Sequence, residues 1–175
     1  MTRHRSVFLA AAIALLSLAP PAVADDGSLF NAYIARQASE VDPAGNAYLR
    51  AVNRVGKART PRAATRAFRA VIRANRRINA ALGLIEAELE AQAASSEHGT
   101  RARRQGLMEV RGWQLANRLE SRVIRRILAG KPVNVRRALR KPNRIMRRVY
   151  GNGRKAVRAF RRVGLTSPVG AVSAK

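Results

Sequence analysis

Cysteine is absent from the 175-residue sequence, and histidine is nearly so. Without cysteine the chain can form neither the disulfide framework of a small secreted module nor a thiol-based site. Of the two histidines, His4 lies in a predicted export segment, so only His98 would remain in a mature protein. A single histidine cannot supply the paired ligands of a zinc or di-iron bundle site. His98 is therefore interpreted as an exposed loop residue, with metal binding as the weaker alternative.

Acidic residues are scarce, and they stop early in the chain. The sequence has 35 Lys or Arg against 10 Asp or Glu, a formal net charge of +25. The last acidic residue is Glu120, and the 55 residues that follow it carry 17 basic groups. This asymmetry predicts a surface that faces a polyanion, with a generic solvated face as the alternative. Because 30 of the 35 basic residues are Arg in an alanine-rich chain, GC-rich coding can explain the preference for Arg over Lys.

Motifs that carry enzymatic chemistry are also lacking. The sequence contains no phosphate-binding loop, nucleophile elbow or dinucleotide fingerprint. Glu86 and Glu90 share a helix face, but ion pairs with neighbouring Arg are the favoured interpretation of both. Trp113 is interpreted as a core residue rather than as a ligand platform. We therefore expect a non-enzymatic protein with no cofactor, no metal and no small-molecule substrate.

One long apolar run occurs, at the N-terminus. Val7 to Ala19 is a mostly apolar stretch of 13 residues that follows the positive start Arg3-His4-Arg5. It is shorter than the ~20 residues that a membrane-spanning helix needs. Ala22-Val23-Ala24 fits a small-x-small cleavage site before Asp25. Residues 1–24 are therefore predicted to be a secretory signal peptide, and the protein to be secreted or periplasmic and peripheral on the cell envelope. An uncleaved anchor is the alternative.

Thr60-Pro61 begins the most regular helical pattern in the sequence. Threonine is a good N-cap, and proline suits the first helical position. A seam with alternating steps of four and three follows, formed by Ala64, Phe68, Val71, Asn75, Ile78, Leu82, Ile85 and Leu89. This heptad spacing predicts one long amphipathic helix over residues 61–95 with coiled-coil-like packing. Asn75 is expected to find a partner on the next helix or, alternatively, to fix the register of a homodimer through the seam.

A second long helix is expected over residues 101–129, after a short turn at residues 95–100. A short connection makes two long helices antiparallel neighbours. The inward stripe of the second helix is predicted to comprise Met108, Leu115, Leu119, Val123 and Ile127, widened by Ala116, Ile124 and Leu128. Arg101, Arg103 and Arg104 are expected to pair with Glu86, Glu88 and Glu90 at the acidic end of the first helix.

Shorter helices are expected before this hairpin. Asp42-Pro43 is interpreted as a capped start for a helix that continues to about Ala58, and residues 28–38 as one more short helix. Strand signals are essentially absent. The predicted fold class is all-α, an antiparallel helical bundle built on the hairpin of residues 61–95 and 101–129. We expect a single domain over residues 25–164 and a frayed tail over residues 165–175.

Residues 134–164 read NVRRALRKPNRIMRRVYGNGRKAVRAFRRVG and contain no acidic residue. On a helical wheel the apolar and basic side chains of this stretch fall on separate arcs, which is typical of a folded amphipathic helix and not of a disordered tail. We expect a helix capped by Asn134 and kinked at Pro142, a break at Gly151-Asn152-Gly153, and a last helix over residues 154–163. The predicted polyanion-binding residues are Arg136, Arg137, Arg140, Lys141, Arg144, Arg147, Arg148, Arg154, Lys155, Arg158, Arg161 and Arg162.

The expected partner is an anionic surface or polymer outside the cytoplasm. Candidates are lipid headgroups, acidic envelope polymers and extracellular DNA, bound by multivalent charge pairing with weak sequence specificity. Nucleic acid is the weaker candidate, because aromatic residues suited to base stacking are few. Two alternatives remain: a membrane-active factor whose C-terminal helices lie in a bilayer interface, and a helical scaffold for acidic protein partners.

Export gives the first testable expectation. Mass spectrometry of the exported protein should find a chain that begins at Asp25, because the apolar run is short and Ala22 and Ala24 occupy the two small positions. A membrane-extracted species that retains Met1 would contradict cleavage.

Overall fold

Residues 25–166 are described by the structure, which is a computed structural model. Over this range the chain is helical and contains no strand, which confirms the all-α expectation. The helices are α1 (Asp26–Arg36), α2 (Asp42–Lys57), α3 (Pro61–Ala91), α4 (Glu97–Leu128), α5 (Val135–Ala138) and α6 (Arg140–Arg162). The predicted signal peptide lies outside the described residues, and so does most of the predicted C-terminal tail.

Helices α1 and α2 are joined without a turn, by a π-helical segment over Gln37–Val41. The expected capped start at Asp42-Pro43 is therefore wrong: Asp42 makes no side-chain cap, and its backbone N–H donates to the Gln37 carbonyl. A wider π turn helps the chain absorb Pro43, which has no N–H of its own to continue an α-helical ladder. The chain runs as helix from Asp26 to Lys57, where Ala58 adopts an extended conformation.

The seam of α3 forms the centre of the core. Its buried members are Val71, Asn75, Ile78, Leu82, Ile85 and Leu89. The expected hydrogen bond from Asn75 to the next helix is confirmed, because Asn75 Nδ2 donates to Glu120 Oε2 at 2.8 Å and to Ser121 Oγ at 3.3 Å. Asn117 Nδ2 donates to Asn79 Oδ1 at 2.9 Å. Since later residues of α3 bond to earlier residues of α4, the two helices run in opposite directions.

The turn between α3 and α4 comes slightly earlier than expected. Helix α3 ends at Ala91, and α4 begins at Glu97 because Ser96 acts as N-cap, its hydroxyl accepting from the Gly99 N–H at 2.9 Å. Asp26 ties α1 to this turn, since its carboxylate accepts the Ser95 N–H at 2.9 Å and the Ser96 hydroxyl. The start of the described chain is thus fastened to the α3–α4 connection.

The inner face of α4 matches the expected stripe only in part: Ala116 and Ile124 are buried as expected, but other members of the stripe are not. Met108 is 48% exposed and Leu115 is 40% exposed. The buried positions are instead small or polar for the most part, namely Gly99, Ala102, Gly106, Glu109, Val110, Ala116, Asn117, Ser121 and Ile124. The larger apolar residues marked a face that is shifted around the helix from the buried one. Gly99 and Gly106 lie against Asp26 and Tyr33 of α1, and the partly buried Gly112 lies against Val149 of α6.

The basic C-terminal segment folds as two helices that are divided differently from the expectation. Asn134 caps a short helix as expected, its Oδ1 accepting the Arg137 N–H at 3.0 Å, but that helix ends at Ala138. Helix α6 then runs unbroken through residues 151–153, so the predicted break at these residues is wrong. Pro142 lies in the first turn of α6, where its missing N–H would have no intrahelical partner. The interruption comes at Leu139, before the proline.

Three aromatic side chains form the contact between α1 and α6 in the core. Phe30 and Tyr33 of α1 contact Phe160 of α6, with ring centroids 5.2 Å and 6.1 Å apart. The Phe30–Phe160 pair is edge-to-face, the arrangement that aromatic quadrupoles favour. Leu165 also packs against this cluster, and its N–H donates to the Phe160 carbonyl at 3.1 Å. Leu165, the first residue of the predicted tail, thus contacts the core, and the residues of that tail beyond 166 lie outside the described range.

Leu82→Ala should lower the free energy of unfolding by roughly 2–5 kcal/mol, because Leu82 is fully buried in the seam and truncation leaves a cavity. Leu84→Ala is the matched control, since Leu84 lies on the same helix and is 47% exposed. Chemical denaturation followed by circular dichroism measures both. A loss below about 1 kcal/mol for Leu82→Ala would mean that the seam is not the core.

Candidate functional site

The predicted polyanion-binding residues form one continuous surface. All twelve are exposed, and they project from α5 and α6. The residues on α5 are Arg136 and Arg137; those on α6 are Arg140, Lys141, Arg144, Arg147, Arg148, Arg154, Lys155, Arg158, Arg161 and Arg162. We call this set the α5–α6 basic face.

The basic side chains of α6 face solvent because the opposite side of this helix is buried. Pro142, Val149, Gly153, Ala156, Ala159 and Phe160 are buried. Helix α6 packs chiefly against α4. The separation of apolar and basic arcs in the sequence therefore corresponds to a real inside and outside, and the cations lie on a rigid helix.

Carboxylates that could neutralise positive charge are engaged elsewhere. Arg36 pairs with Glu40 and Glu88, and Arg111 pairs with Glu86 and Glu90. Within residues 25–166, no cation of the α5–α6 basic face takes part in a salt bridge. A row of unpaired cations on one helix raises the local positive potential.

The acidic end of α3 is neutralised by other partners than those expected. Arg111 and Arg36 bind its carboxylates, whereas Arg103 donates from Nη2 to the Glu90 carbonyl at 2.9 Å and from Nε to the Leu89 carbonyl. An Arg on the last carbonyls of a helix complements the negative end of its dipole. Arg101, which was expected to pair here, instead lies beside α6.

One flank of the α5–α6 basic face carries a recess of about 460 Å³ lined by cations and a single apolar residue. The basic lining residues are Arg137, Arg140, Lys141, Arg144 and Arg148, and the apolar one is Ile145. The arginines are spaced three, four and four residues apart along the chain, as on one helix face. An anionic group entering this recess would meet several guanidinium groups at once.

A second basic recess combines α6 with the start of α4. It encloses about 280 Å³ between Arg101 and Gln105 of α4 and Lys155, Arg158 and Arg162 of α6. Arg101 therefore extends the α5–α6 basic face, although sequence reasoning assigned it to the acidic end of α3. This recess combines side chains of α4 and α6, and no spacing in the sequence indicates that they lie together.

A third recess, of about 420 Å³, has a buried carboxylate at its floor. Glu109 is 6% exposed and accepts a hydrogen bond from the Tyr33 hydroxyl. Gly153 of α6 lies directly over it: a Cβ at this position would lie 2.5 Å from Glu109 Oε1. Arg154 and Arg158 line the same recess, but neither forms an ion pair with Glu109 among the described residues.

Burial raises the pKa of the Glu109 carboxyl, and the hydrogen bond from Tyr33 opposes this shift only in part. Burial also raises the pKa of the Tyr33 hydroxyl, and the neighbouring Glu109 charge acts in the same direction. Tyr33 therefore remains a hydrogen-bond donor. A glycine at position 153 is needed for this arrangement, because any larger residue would displace either Glu109 or α6. This explains the glycine that sequence reasoning interpreted as a break.

A further basic patch was not among the predicted site residues. At the connection between α2 and α3, a recess of about 620 Å³ is lined by Arg54, Lys57, Arg59, Arg66 and Arg73. The signal for it was present in the concentration of Arg in the first half of α3. The patch shows that positive charge also accumulates away from α6.

Comparison with known proteins gives no indication of function. No protein-family model, no curated protein and no solved structure matches the chain. Within residues 25–166, no three His, Cys, Asp or Glu side chains are grouped to hold a metal ion, and His98 lies in the first turn of α4. No helix in the same range is long and apolar enough to cross a membrane. The function has to be argued from the residues described above.

Glu109→Gln should stabilise the protein at neutral pH by roughly 1–3 kcal/mol, the usual desolvation cost of a buried polar group without full compensation. The raised pKa of Glu109 means that the folded state holds this proton to higher pH than the unfolded state, whose value is near 4.5. The stability contribution of Glu109 is thus highest at low pH and is lost as pH rises above about 4.5.

Thermal unfolding of wild type and Glu109→Gln at pH 4 and pH 7 measures this effect. The variant should gain over wild type only at the higher pH. Glu97→Gln, an exposed change on the same helix, should show no such gain. An equal difference at both pH values would contradict the assignment of a buried titrating carboxyl.

Proposed function

We propose that this protein is a non-enzymatic, basic helical protein that binds polyanions through the α5–α6 basic face. In this proposal the α5–α6 basic face is supported by an antiparallel bundle built on the α3–α4 hairpin. With the predicted signal peptide, the relevant polyanions are those outside the cytoplasm, namely anionic lipid headgroups, acidic envelope polymers and free DNA. No catalytic residue is assigned.

The observation that carries the proposal is that these cations are exposed, form no ion pairs within residues 25–166 and lie mainly on α6, whose opposite side is packed against the bundle. Twelve cations share a surface with no carboxylate paired to them in the described part of the chain. Helix α6 has 23 residues, which at 1.5 Å per residue presents these cations over about 35 Å. Exposed cations without partners cost little to engage, because no internal ion pair has to be broken first.

Binding by such a surface is multivalent and depends on salt. Each phosphate or carboxylate group that is neutralised releases condensed counterions, so affinity falls steeply as salt rises. Within residues 25–166, the one exposed aromatic side chain of α6 is that of Tyr150, because Phe160 is buried, so stacking of successive bases along this helix is not supported. We therefore expect recognition of charge density and little discrimination of sequence or sugar identity.

A membrane surface is a second candidate that one observation favours. Gly112 of α4 faces α6, since a Cβ there would lie 2.8 Å from Val149 Cγ2 and 3.8 Å from Ile145 Cγ2. The exposed Met108 and Leu115 lie one helical turn to either side of Gly112, on the same side of α4. Apolar side chains next to a basic recess suit a surface of anionic lipids, where methyl groups enter the interface and cations meet headgroups. In this form α6 stays docked on α4.

Replacing Arg140, Arg144, Arg147 and Arg148 together by Glu should weaken polyanion binding strongly and leave helicity intact, because all four side chains are exposed. With duplex DNA as the test polyanion, the log–log salt slope should flatten by roughly two to four units, since each phosphate that the protein neutralises contributes about 0.9 to that slope. Binding is measured by fluorescence anisotropy at a series of salt concentrations, and helicity by circular dichroism.

The matched control places the same change of charge on another helix. Arg62, Arg69, Arg76 and Arg77 are exposed on α3, which packs against α2 and α4. Their replacement by Glu should lower affinity much less and leave the salt slope closer to wild type. Equal weakening by both sets would mean that the basic face is only diffuse charge. Parallel titrations with anionic vesicles and an acidic polysaccharide rank the polyanions, and binding only to acidic proteins would favour a scaffold role.

A further inference from the structure

A cleft of about 520 Å³ opens between α2 and the first half of α6, with α4 at its floor. Helix α2 contributes Tyr48 and Leu49, α4 contributes Trp113 and Glu120, and α6 contributes Tyr150. The volume lies within the usual range of ~300–1,000 Å³ for sites that hold small organic ligands. Its lining combines apolar side chains with polar ones, among them Asn46, Asn117 and Asn143.

The lining of this cleft contains no Lys or Arg. This is unusual in a chain in which 35 of 175 residues are basic. The ionisable carboxyl groups at the cleft are those of Asp42 and Glu120, and the aromatic rings are those of Tyr48, Trp113 and Tyr150. The cleft is therefore chemically opposite to the α5–α6 basic face, although both are formed in part by the same helix.

Glu120 is held in place by neutral donors only. The Tyr48 hydroxyl donates to Glu120 Oε1 at 2.7 Å, and Asn75 Nδ2 donates to Glu120 Oε2 at 2.8 Å. Burial raises the pKa of Tyr48, and the adjacent Glu120 charge adds to this, so Tyr48 remains a donor. Each carboxylate oxygen retains further acceptor capacity.

No cation in residues 25–166 pairs with Glu120. Glu86, Glu88 and Glu90, by contrast, each have an Arg partner. A partly buried carboxylate without a counter-charge is stabilised when a cation is brought to it. The cleft thus contains a carboxylate without a cation partner and is lined by the aromatic rings of Tyr48, Trp113 and Tyr150.

We infer that this cleft binds an apolar organic cation, with an amine or quaternary ammonium group held by Glu120 and the surrounding aromatic rings. Cation–π attraction from tyrosine and tryptophan faces adds to the carboxylate, and the apolar body fills the rest of the volume. The exposed charges that lie farther from the cleft than about 8–10 Å are largely screened at physiological salt, so the protein opposes binding of a cation less than its formal net charge of +25 suggests. The inference is independent of the polyanion-binding proposal.

Trp113 allows a direct test, because it is the single tryptophan of the chain and lines the cleft. The probes are three compounds that share a 4-tert-butylbenzyl group and carry a trimethylammonium, an alcohol or a carboxylate group. Each is titrated into the protein while the fluorescence emission of Trp113 is recorded. The trimethylammonium compound should give a saturable change and bind roughly tenfold more tightly than the alcohol. The carboxylate should bind most weakly at the cleft.

Two glycines of α2 provide matched variants. Gly45 lines the cleft and Gly56 does not, and a Cβ at either position would have no neighbour within 4 Å. Gly45→Leu should therefore place a bulky side chain at the cleft from a position where its Cβ is unobstructed, and should weaken binding of the cation by at least about tenfold. Gly56→Leu should leave its affinity unchanged. Glu120→Gln should weaken binding of the trimethylammonium compound by roughly tenfold and that of the alcohol hardly at all.

Two results would overturn the inference. If no probe gives a saturable change of Trp113 emission that Gly45→Leu removes, the cleft is not a binding site. If the carboxylate probe binds there as tightly as the trimethylammonium compound, the cleft binds apolar molecules without selecting their charge. The same conclusion follows if Glu120→Gln weakens binding of the trimethylammonium compound and of the alcohol equally. If a variant folds poorly, the absence of a saturable change in the wild-type titration still overturns the inference, and the order of the three wild-type affinities still tests selection of charge.

Discussion

The close packing of α6 on α4 is the constraint on which the rest of the molecule depends. At Gly153 and Gly112 the helices approach so closely that a Cβ on either glycine would lie under 3 Å from Glu109 or Val149. These contacts fix both the distance and the rotation of α6. With its rotation fixed, every basic residue of α6 must project outward. The two glycines, together with the buried apolar side of α6, therefore leave its basic side exposed.

The distribution of carboxylates decides where positive charge remains. Arg36 and Arg111 bind the acidic end of α3, and Arg103 binds its last carbonyls. Glu109 lies below Gly153 and accepts from Tyr33, so its charge neutralises no surface arginine. These carboxylates are therefore engaged in contacts among α1, α3 and α4. Helices α5 and α6 have no carboxylate of their own, and within residues 25–166 their cations form no salt bridge.

Periodicity predicted the long helices and the two faces of the basic segment, because a repeated spacing reports which side of one helix is apolar. It did not predict how helices meet. Gly153 was interpreted as a break, since the sequence does not show that Glu109 lies opposite it. The exposed Met108 and Leu115 show the same limit, because small residues are the ones that allow a close neighbour. The cleft was missed because Tyr48, Trp113 and Tyr150 are brought together only by tertiary packing.

The two proposed sites are linked by the helix that they share. A ligand in the cleft would contact α2, α4 and the first half of α6, and would thereby favour the arrangement in which α6 is docked. That docked arrangement is also what directs Arg140, Arg144 and Arg148 away from the core. A ligand can shift an equilibrium only through a difference in affinity between two states. Because occupation of the cleft requires docked α6, an apolar cation would oppose any undocking of α6 into a bilayer and would leave polyanion binding by the docked face intact.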